Sequence, residues 1–362
     1  MKLLAIILNY KTPTMTMDAL RALMLELAAY PDARVKIVDN DSQDGSFETL
    51  REAVAESAWS DRVDVVASEY NGGFAYGNNF ATAPALASDD KPDYVYLLNS
   101  DAFPDENCIT SLVDFLDTNP EAGIAGSYVH GPEPVPHETA FRFPSIFSEF
   151  ESTLNLGLIS KLLNRWIVAL PMPTETRPVD WLAGASMLIR REVIEEIGLM
   201  DQTFFLYFEE TDYCLRARRA NWLTYYVIES SVTHIGSAST GMKNTSKPTP
   251  TYWYASRRHY FLKNYGLAYL WAANLLYVLG ATICRLRFRL INRPGKHPNR
   301  HLRDFIRFNF RLNSFPSGRP TPPRTIANPG LLTGARRSKE GRGRSFGGSR
   351  PDRGSQNQPN EP

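Results

Sequence analysis

Tyr94-Val95-Tyr96-Leu97-Leu98-Asn99-Ser100-Asp101-Ala102-Phe103-Pro104 is the stretch on which the reading of this chain turns. Five aromatic, β-branched or aliphatic residues end abruptly in Asn-Ser-Asp, the pattern of a buried parallel strand emerging at its C-terminal edge. In open α/β sheets ligands collect outside the carboxyl ends of strands. Hard oxygen ligands in such a crevice suit Mg²⁺ or Mn²⁺ brought in by a phosphate. The plainer structural alternative is a polar turn, with Asp101 capping a helix that begins near Asp105.

The segments before Tyr94 repeat the same grammar. Leu3 to Asn9 reads as a strand, and Thr14 to Ala29 as a helix with Ala19, Leu20, Leu23, Met24 and Leu27 at helical spacing. Val35 to Val38 is a second strand, Phe47 to Glu56 a helix, and Val63 to Ala67 a third strand. The loop Asn71-Gly72-Gly73-Phe74-Ala75-Tyr76-Gly77-Asn78-Asn79 and a further helix lead to the Tyr94 strand. Repeated β-α-β units predict a mostly parallel, doubly wound sheet. Polar residues gather where its strands end: Asn9 and Tyr10, then Asp39 and Asn40, then Asn71 to Asn79, then Asn99 to Asp101. Each group alone is an ordinary turn; four on one edge make a place for a nucleotide.

Composition bounds what such a body does. Of 362 residues 43% are hydrophobic and 12% aromatic, enough for a globular core. The net charge of +1 hides a division: residues 285–362 hold 18 Lys/Arg against 4 Asp/Glu, and the rest hold 22 against 35. An acidic body with a basic tail points to an anionic surface. Three cysteines without metal-type spacing, Cys108, Cys214 and Cys284, argue against a disulfide framework and fit a reducing cytoplasm. Leu3 to Leu8 is too short to span a membrane and reads better as a first strand than as a signal peptide.

Tyr10, Val38-Asp39-Asn40-Asp41-Ser42-Gln43-Asp44-Gly45-Ser46, Asn71-Gly72-Gly73-Phe74 and Leu97-Leu98-Asn99-Ser100-Asp101 together resemble the family 2 inverting glycosyltransferases of the GT-A fold. The likeness is strongest to bacterial rhamnosyltransferase-like members that extend cell-envelope glycans, and it covers residues 1–265. It implies a nucleotide-binding half over 1–105 and an acceptor and catalytic half over 175–240. The donor nucleotide would meet Asn9, Tyr10, Asp39, Asn40, Asn71, Gly72, Gly73, Phe74, Asn78, Asn99 and Ser100, with Asp39 reading a pyrimidine base, dTDP or UDP. Asp101 would bind the metal that bridges the diphosphate. Asn99 departs from the family's Asp-X-Asp form and brings no charge, which implies a more weakly held ion.

The second informative block runs from Val179-Asp180-Trp181-Leu182-Ala183-Gly184, opening a strand, to Phe208-Glu209-Glu210-Thr211-Asp212, opening a helix. Acids in a first turn are what the helix macrodipole favours. A carboxylate screened by the aromatic run Phe204 to Phe208 is also suited to accepting a proton. By position in the resembling family the catalytic base is Glu210, a Glu where Asp is usual; the extra methylene adds about 1.5 Å of reach. Glu209 and Asp212 are the alternates. The resemblance also implies Asp180, Trp181 and Gly184 in the acceptor and sugar pocket, and His234 as second metal ligand. Arg257 and Arg258 are candidate diphosphate contacts, with solvated helix charge the other reading.

Residues 120–180 are less regular, and Phe147 to Ala169 suggests one or two helices forming an acceptor lid or a dimer surface. Gly266 to Cys284 is apolar apart from Asn274, followed by Arg285, Arg287 and Arg289. Spanning, lying in the interface and packing inside the protein are all open to it. Within a membrane-associated segment over 266–312, peripheral attachment to the inner face of the cell membrane is the favoured expectation. Residues 313–362 read as a disordered basic tail. The tail's near lack of aromatics disfavours nucleic acid as partner. The expected activity is metal-dependent transfer of a sugar, rhamnose favoured, to a lipid-linked or cell-envelope glycan. A sugar nucleotidyltransferase lacks its Gly-rich, Arg-containing loop here, and a non-catalytic membrane-bound scaffold is the alternative from another class.

Overall fold

The computed structural model describes residues 1–133, 135–154, 156–236, 248–291 and 300–310. Four parallel strands, β1 (Leu3–Asn9), β2 (Arg34–Asp39), β3 (Val63–Ala67) and β4 (Tyr94–Asn99), lie in the order β3-β2-β1-β4. Ile7 pairs with Ile37 on one side and Leu98 on the other. The unbroken apolar run of β1 follows from burial on both faces. Leu3, Ala5 and Ile7 join a core with Leu20 and Leu23 of α1 (Pro13–Glu26), Leu50 of α2 (Ser46–Ala55) and Leu112 of α4 (Cys108–Thr118). Leu4 and Ile6 face the opposite core, with Ala75 and Leu86 of α3 (Gly73–Ala87).

Beyond β4 the sheet changes sense. A short strand β5 (Ala102–Pro104), a long β6 (Ala122–His130), β10 (Ser186–Arg190) and β11 (Leu223–His234) extend it in the order β4-β10-β6-β11-β5. β10 is antiparallel to both β4 and β6, whereas β6 and β11 run parallel. β8 (Arg177–Val179) pairs with β11, and β7 (Ala140–Phe141) with β9 (Trp181–Leu182) makes a small second sheet. The sheet is thus mixed, with a doubly wound parallel half.

Two expectations are corrected here. Residues 122–130 form an interior strand rather than irregular chain. The segment Ala122-Gly-Ile-Ala-Gly-Ser is poor in β-branched residues, so pattern alone does not mark it; burial between β10 and β11 does. The supposed loop over 71–79 ends at Gly72, because Gly73 already opens α3, which places Gly77, Asn78 and Asn79 inside the helix. Asn78 Nδ2 donates back to the Phe74 carbonyl, and Asn79 ties α3 to both backbone groups of Met200.

The C-terminal helices form a bundle on this body. α5 (Ile146–Leu154) and α6 (Gly157–Leu162) follow β7; α7 (Arg191–Ile197) and α8 (Glu209–Arg219) follow β10; α9 (Thr251–Tyr265), α10 (Leu267–Leu290) and α11 (His301–Phe310) are the last helices among the described residues. α10 packs closely on α5: a Cβ on Gly280 would stand 2.4 Å from Thr153 Oγ1 and 2.7 Å from the Phe150 carbonyl. The segment expected to be a lid or dimer surface therefore docks, through α5, onto the C-terminal bundle. The expected boundary at residue 265 runs between helices that share this packing. The tail over 313–362 lies outside the described residues.

Arg257 is the largest fully buried side chain, 1% exposed, and its role as a diphosphate contact is overturned. Its Nε donates to Glu149 Oε2 at 2.9 Å and its Nη1 to Asn274 Oδ1 at 2.7 Å, so it joins α9 to α5 and α10. Phe261, Tyr277 and Phe305 surround the guanidinium. A charge enclosed in this way is unreachable by a substrate.

Candidate active site

The sheet topology brings the polar strand ends to one edge. β1, β2 and β4 deliver Asn9, Asp39 and Asn99 at their carboxyl ends, and antiparallel β10 begins beside them. The Asn99 N–H donates to the Ala185 carbonyl at 3.1 Å. That bond sets the Gly184-Ala185 turn next to the Asn99-Ser100-Asp101 triplet.

Asp39 is 3% exposed and held by three donors: Asn9 Nδ2 and Ser42 Oγ to Oδ2, each at 2.7 Å, and the Ser42 N–H to Oδ1 at 3.0 Å. Each carboxylate oxygen accepts two bonds, which leaves Oδ1 with capacity for one more donor. Asn9 is itself enclosed, accepting from Thr16 Oγ1 at 2.8 Å, so it aims Asp39 rather than presenting its own side chain. Asn40 bridges to Asn71 Oδ1 and the Gly73 carbonyl, and Asn71 Oδ1 also accepts the Gly73 N–H. Tyr10 stays partly exposed above the Lys11 ammonium. Ser42, Thr12 and Thr16 carry this network and were not singled out in the sequence; Ser42 lies within the quoted 38–46 motif, the threonines in no motif.

Gly73 has φ +83°, and a Cβ there would stand 1.8 Å from the Phe205 carbonyl oxygen, the same oxygen that accepts the Phe74 N–H at 2.9 Å. Glycine is thus required both for its backbone conformation and for close approach. Gly73→Ala is expected to destabilise the protein by about 2 kcal/mol or more, read as a shift in the urea midpoint.

Asp101 and His234 come together although 133 positions apart: His234 Nε2 lies 3.0 Å from Asp101 Oδ1, and the Ile235 N–H donates to the Asp101 carbonyl. β5 pairs with β11, Ala102 opposite His234, and so sets their spacing. Two ligands in adjacent positions of an octahedral ion, each about 2.1 Å from it, stand about 3.0 Å apart. That spacing is shared by a direct His–Asp hydrogen bond, which the pair makes here, and by two ligands of one divalent cation. Among the described residues no cluster of three or more His, Cys, Asp or Glu side chains is placed to hold one, so further ligands would have to come from elsewhere. His137, which sequence reasoning missed in its Pro-rich loop, brings its ring to 6.1 Å from that of His234.

Opposite, the chain enters α8 through two consecutive left-handed residues, Tyr207 (φ +69°) and Phe208 (φ +70°). Such a conformation costs bulky residues about 1–2 kcal/mol each and persists only where neighbours impose it. Here Ser256 Oγ donates to the Leu206 carbonyl, the Tyr207 ring stacks on Tyr252, and Phe208 packs on Trp253 and Tyr260. The turn sends three acids in different directions. Glu209 is 1% exposed; Asp212, fully enclosed, meets Arg216, Lys263 and Asn264; Glu210 alone of the three keeps access to solvent. Asp212 is thereby committed to joining α8 and α9. Glu210 Oε1 accepts the Gly184 N–H at 3.1 Å, and burial raises its pKa above the usual carboxylate value, against the lowering effect of that bond.

Gly184 lies against both halves, since a Cβ on it would stand 2.8 Å from the Phe74 ring and 2.9 Å from Glu210 Oε1. Trp181 stacks on Phe141 with centroids 4.1 Å apart and donates from Nε1 to the Arg142 carbonyl, while Asp180 Oδ2 accepts the Phe143 N–H. Both tie the chain before Gly184 to residues 141–143. Arg258 is half-buried on α9.

The family described as glycosyl transferase family 2 matches residues 5–198, more than half of the chain. The chain belongs to glycosyltransferase family 2. This transferase is 28% identical over 230 residues to an N-acetylglucosaminyl-diphospho-decaprenol L-rhamnosyltransferase of Mycobacterium tuberculosis, covering 60% of this chain and 71% of that protein. It is 26% identical over 159 residues to the rhamnosyltransferase WbbL of Escherichia coli, covering 43% and 58% of the two chains. Among solved structures it superimposes on GalNAc-T7, crystallised with UDP, GalNAc and Mn²⁺, with a TM-score of 0.51 at 16% identity. That superposition covers 64% of this chain and 43% of the other, and the shared fold is GT-A. The transferase is therefore an enzyme and rhamnosyltransferase-like in its relatives, which sets aside the scaffold and nucleotidyltransferase alternatives. The family match includes Asp39, Asp101 and Gly184 and stops before Glu210 and His234.

Proposed function

We propose that this transferase moves a sugar, rhamnose favoured, from a pyrimidine nucleotide diphosphate to a hydroxyl of a lipid-linked glycan, with inversion at the anomeric carbon. The observation that carries the reading is the position of Glu210. It is the acid of its turn that keeps solvent access, it hangs on the Gly184 N–H, and a pKa raised by burial makes it a stronger base than an ordinary carboxylate. Glu210 takes the proton from the acceptor hydroxyl as that oxygen bonds to the anomeric carbon. The bond from that carbon to the diphosphate breaks, and its electron pair leaves on the phosphate oxygen. Asp39 Oδ1, with one acceptor position remaining, receives the imide N–H of the base.

Asp101 and His234 would hold Mg²⁺ or Mn²⁺, which when bound neutralises charge on the leaving diphosphate. The E. coli and M. tuberculosis relatives named as rhamnosyltransferases support the sugar, and the decaprenol-linked substrate in the latter's name supports a lipid-linked acceptor met at the inner face of the cell membrane. The test is a donor screen on the purified protein, following release of nucleoside diphosphate from dTDP-rhamnose, UDP-sugars and GDP-sugars with either metal or with chelator. Metal-dependent release from one pyrimidine donor is expected, and Asp101→Ala is expected to weaken Mn²⁺ binding by about tenfold or more in the presence of nucleotide. Release from a GDP-sugar alone would refute the pyrimidine assignment, and release from no donor would refute the whole reading.

A further inference from the structure

The C-terminal bundle has two unlike faces. Inward, α10 buries Ala273, Asn274 and Tyr277; Asn274 accepts from Arg257, and Tyr277 Oη lies 2.6 Å from His301 Nε2. Outward, Leu267, Trp271, Leu275, Leu279, Leu286 and Leu290 follow one another at intervals of four or seven residues and are 37–87% exposed. That spacing keeps them on a single stripe along the 24-residue helix. Arg285 and Arg289 are exposed at its C-terminal end, and the sequence from 285 onward carries 18 Lys/Arg against 4 Asp/Glu.

We propose that this stripe lies in the plane of an anionic lipid leaflet, with α10 embedded on its outer side and the bundle held in water on its inner side. The proposal deepens the transferase reading, on which it rests for the reason a membrane is visited, by naming the surface that makes contact. Charge selects the occupant, since an arginine-flanked apolar stripe matches the interfacial layer of an acidic bilayer, where apolar and phosphate groups meet. By length and hydropathy α10 is able to cross a bilayer. Its inward face argues otherwise. A crossing would carry the Glu149–Arg257 pair, Asn274 and His301 into hydrocarbon along with α5, α9 and α11, whose outer sides bear charges such as Arg303. Clasped to the catalytic turn through Ser256 and Tyr252, α9 also packs on α10, so the same bundle that would meet lipid supports the turn bearing Glu210.

The experiment is co-sedimentation of the full chain with phosphatidylcholine vesicles containing or lacking phosphatidylglycerol, for the wild type and for the triple variant Leu275→Ser, Leu279→Ser, Leu286→Ser. Wild type is expected on the anionic vesicles only and to be released by alkaline carbonate. The variant is expected to bind roughly tenfold or more weakly, with unchanged unfolding midpoint and donor turnover. A nitroxide on Leu279→Cys, expected to become accessible to oxygen and shielded from a water-soluble nickel chelate on vesicles, reads immersion even if the triple variant misfolds. Equal binding by the variant, a label that stays in water, or carbonate resistance of the wild type would each overturn the proposal. So would a wild-type dimer that the triple substitution dissociates while vesicles bind neither, since the stripe would then face a second copy. Failure of vesicle binding with turnover intact refutes the lipid surface alone, and absence of turnover with vesicle binding intact refutes the transferase reading alone.

Discussion

Glu210→Gln is expected to lower the rate of sugar transfer by about 10²–10⁴-fold while leaving donor binding close to wild type. The amide keeps the shape and can still accept the Gly184 N–H, but it takes up no proton. Glu209 and Asp212 do not substitute, one buried and the other engaged by Arg216, Lys263 and Asn264. The pH profile follows from the direction of the Glu210 shift. A base works only when ionised, so transfer falls as pH drops through a pKa that burial has raised above the ordinary carboxylate value. Stability has the opposite sign. The folded state binds this proton more tightly than the unfolded chain, so the contribution of Glu210 is fully present below the unfolded pKa and is lost as pH rises through the folded one. Glu210→Gln removes that loss, and its melting temperature relative to wild type is expected to rise between those two values. Initial rates and melting curves across pH check both halves; a transfer rate unchanged by the substitution would move the base elsewhere.

Arg257→Ala is expected to destabilise the protein by about 3–5 kcal/mol, because it leaves the Glu149 carboxylate enclosed without its cation. Burial already raises the Glu149 pKa, against the lowering effect of Arg257, so removing the arginine raises it further. Protonation of Glu149 then relieves the variant, and the deficit is expected to shrink toward acid pH. Glu149→Leu combined with Arg257→Met is expected to recover most of the loss, since a volume-matched apolar pair needs no compensation in this aromatic surround. Urea denaturation of the single and double variants measures the coupling. A diphosphate contact would behave differently, losing donor affinity with little change in stability.

The contrast between these two residues shows how much was legible in the chain. Glu210 could be singled out from acids following an aromatic run and from position in a motif order, both properties of local sequence. Arg257, in Tyr254-Ala255-Ser256-Arg257-Arg258, carries no local sign of burial; only the docking of α5, α9, α10 and α11 encloses it. The parallel half was readable for the same reason as Glu210. A strand buried on both faces must be apolar throughout, and β1 and β4 emerge at or within a residue of the predicted limits.

By itself, the sequence determined the repeated β-α-β units, the polar strand ends at one edge of the sheet, the acids that open α8 and the apolar run of α10. Each is written in consecutive residues whose periodicity or composition carries its physical cause. Tertiary structure alone decided that β6 is an interior strand, that Asp101 meets His234 through the β5–β11 pairing, and that Asp212 is enclosed by Lys263 while Glu210 is not. It also decided that one side of α10 is buried and the other bare. These are long-range pairings, and short-range pattern contains no term for which distant surface a residue will meet.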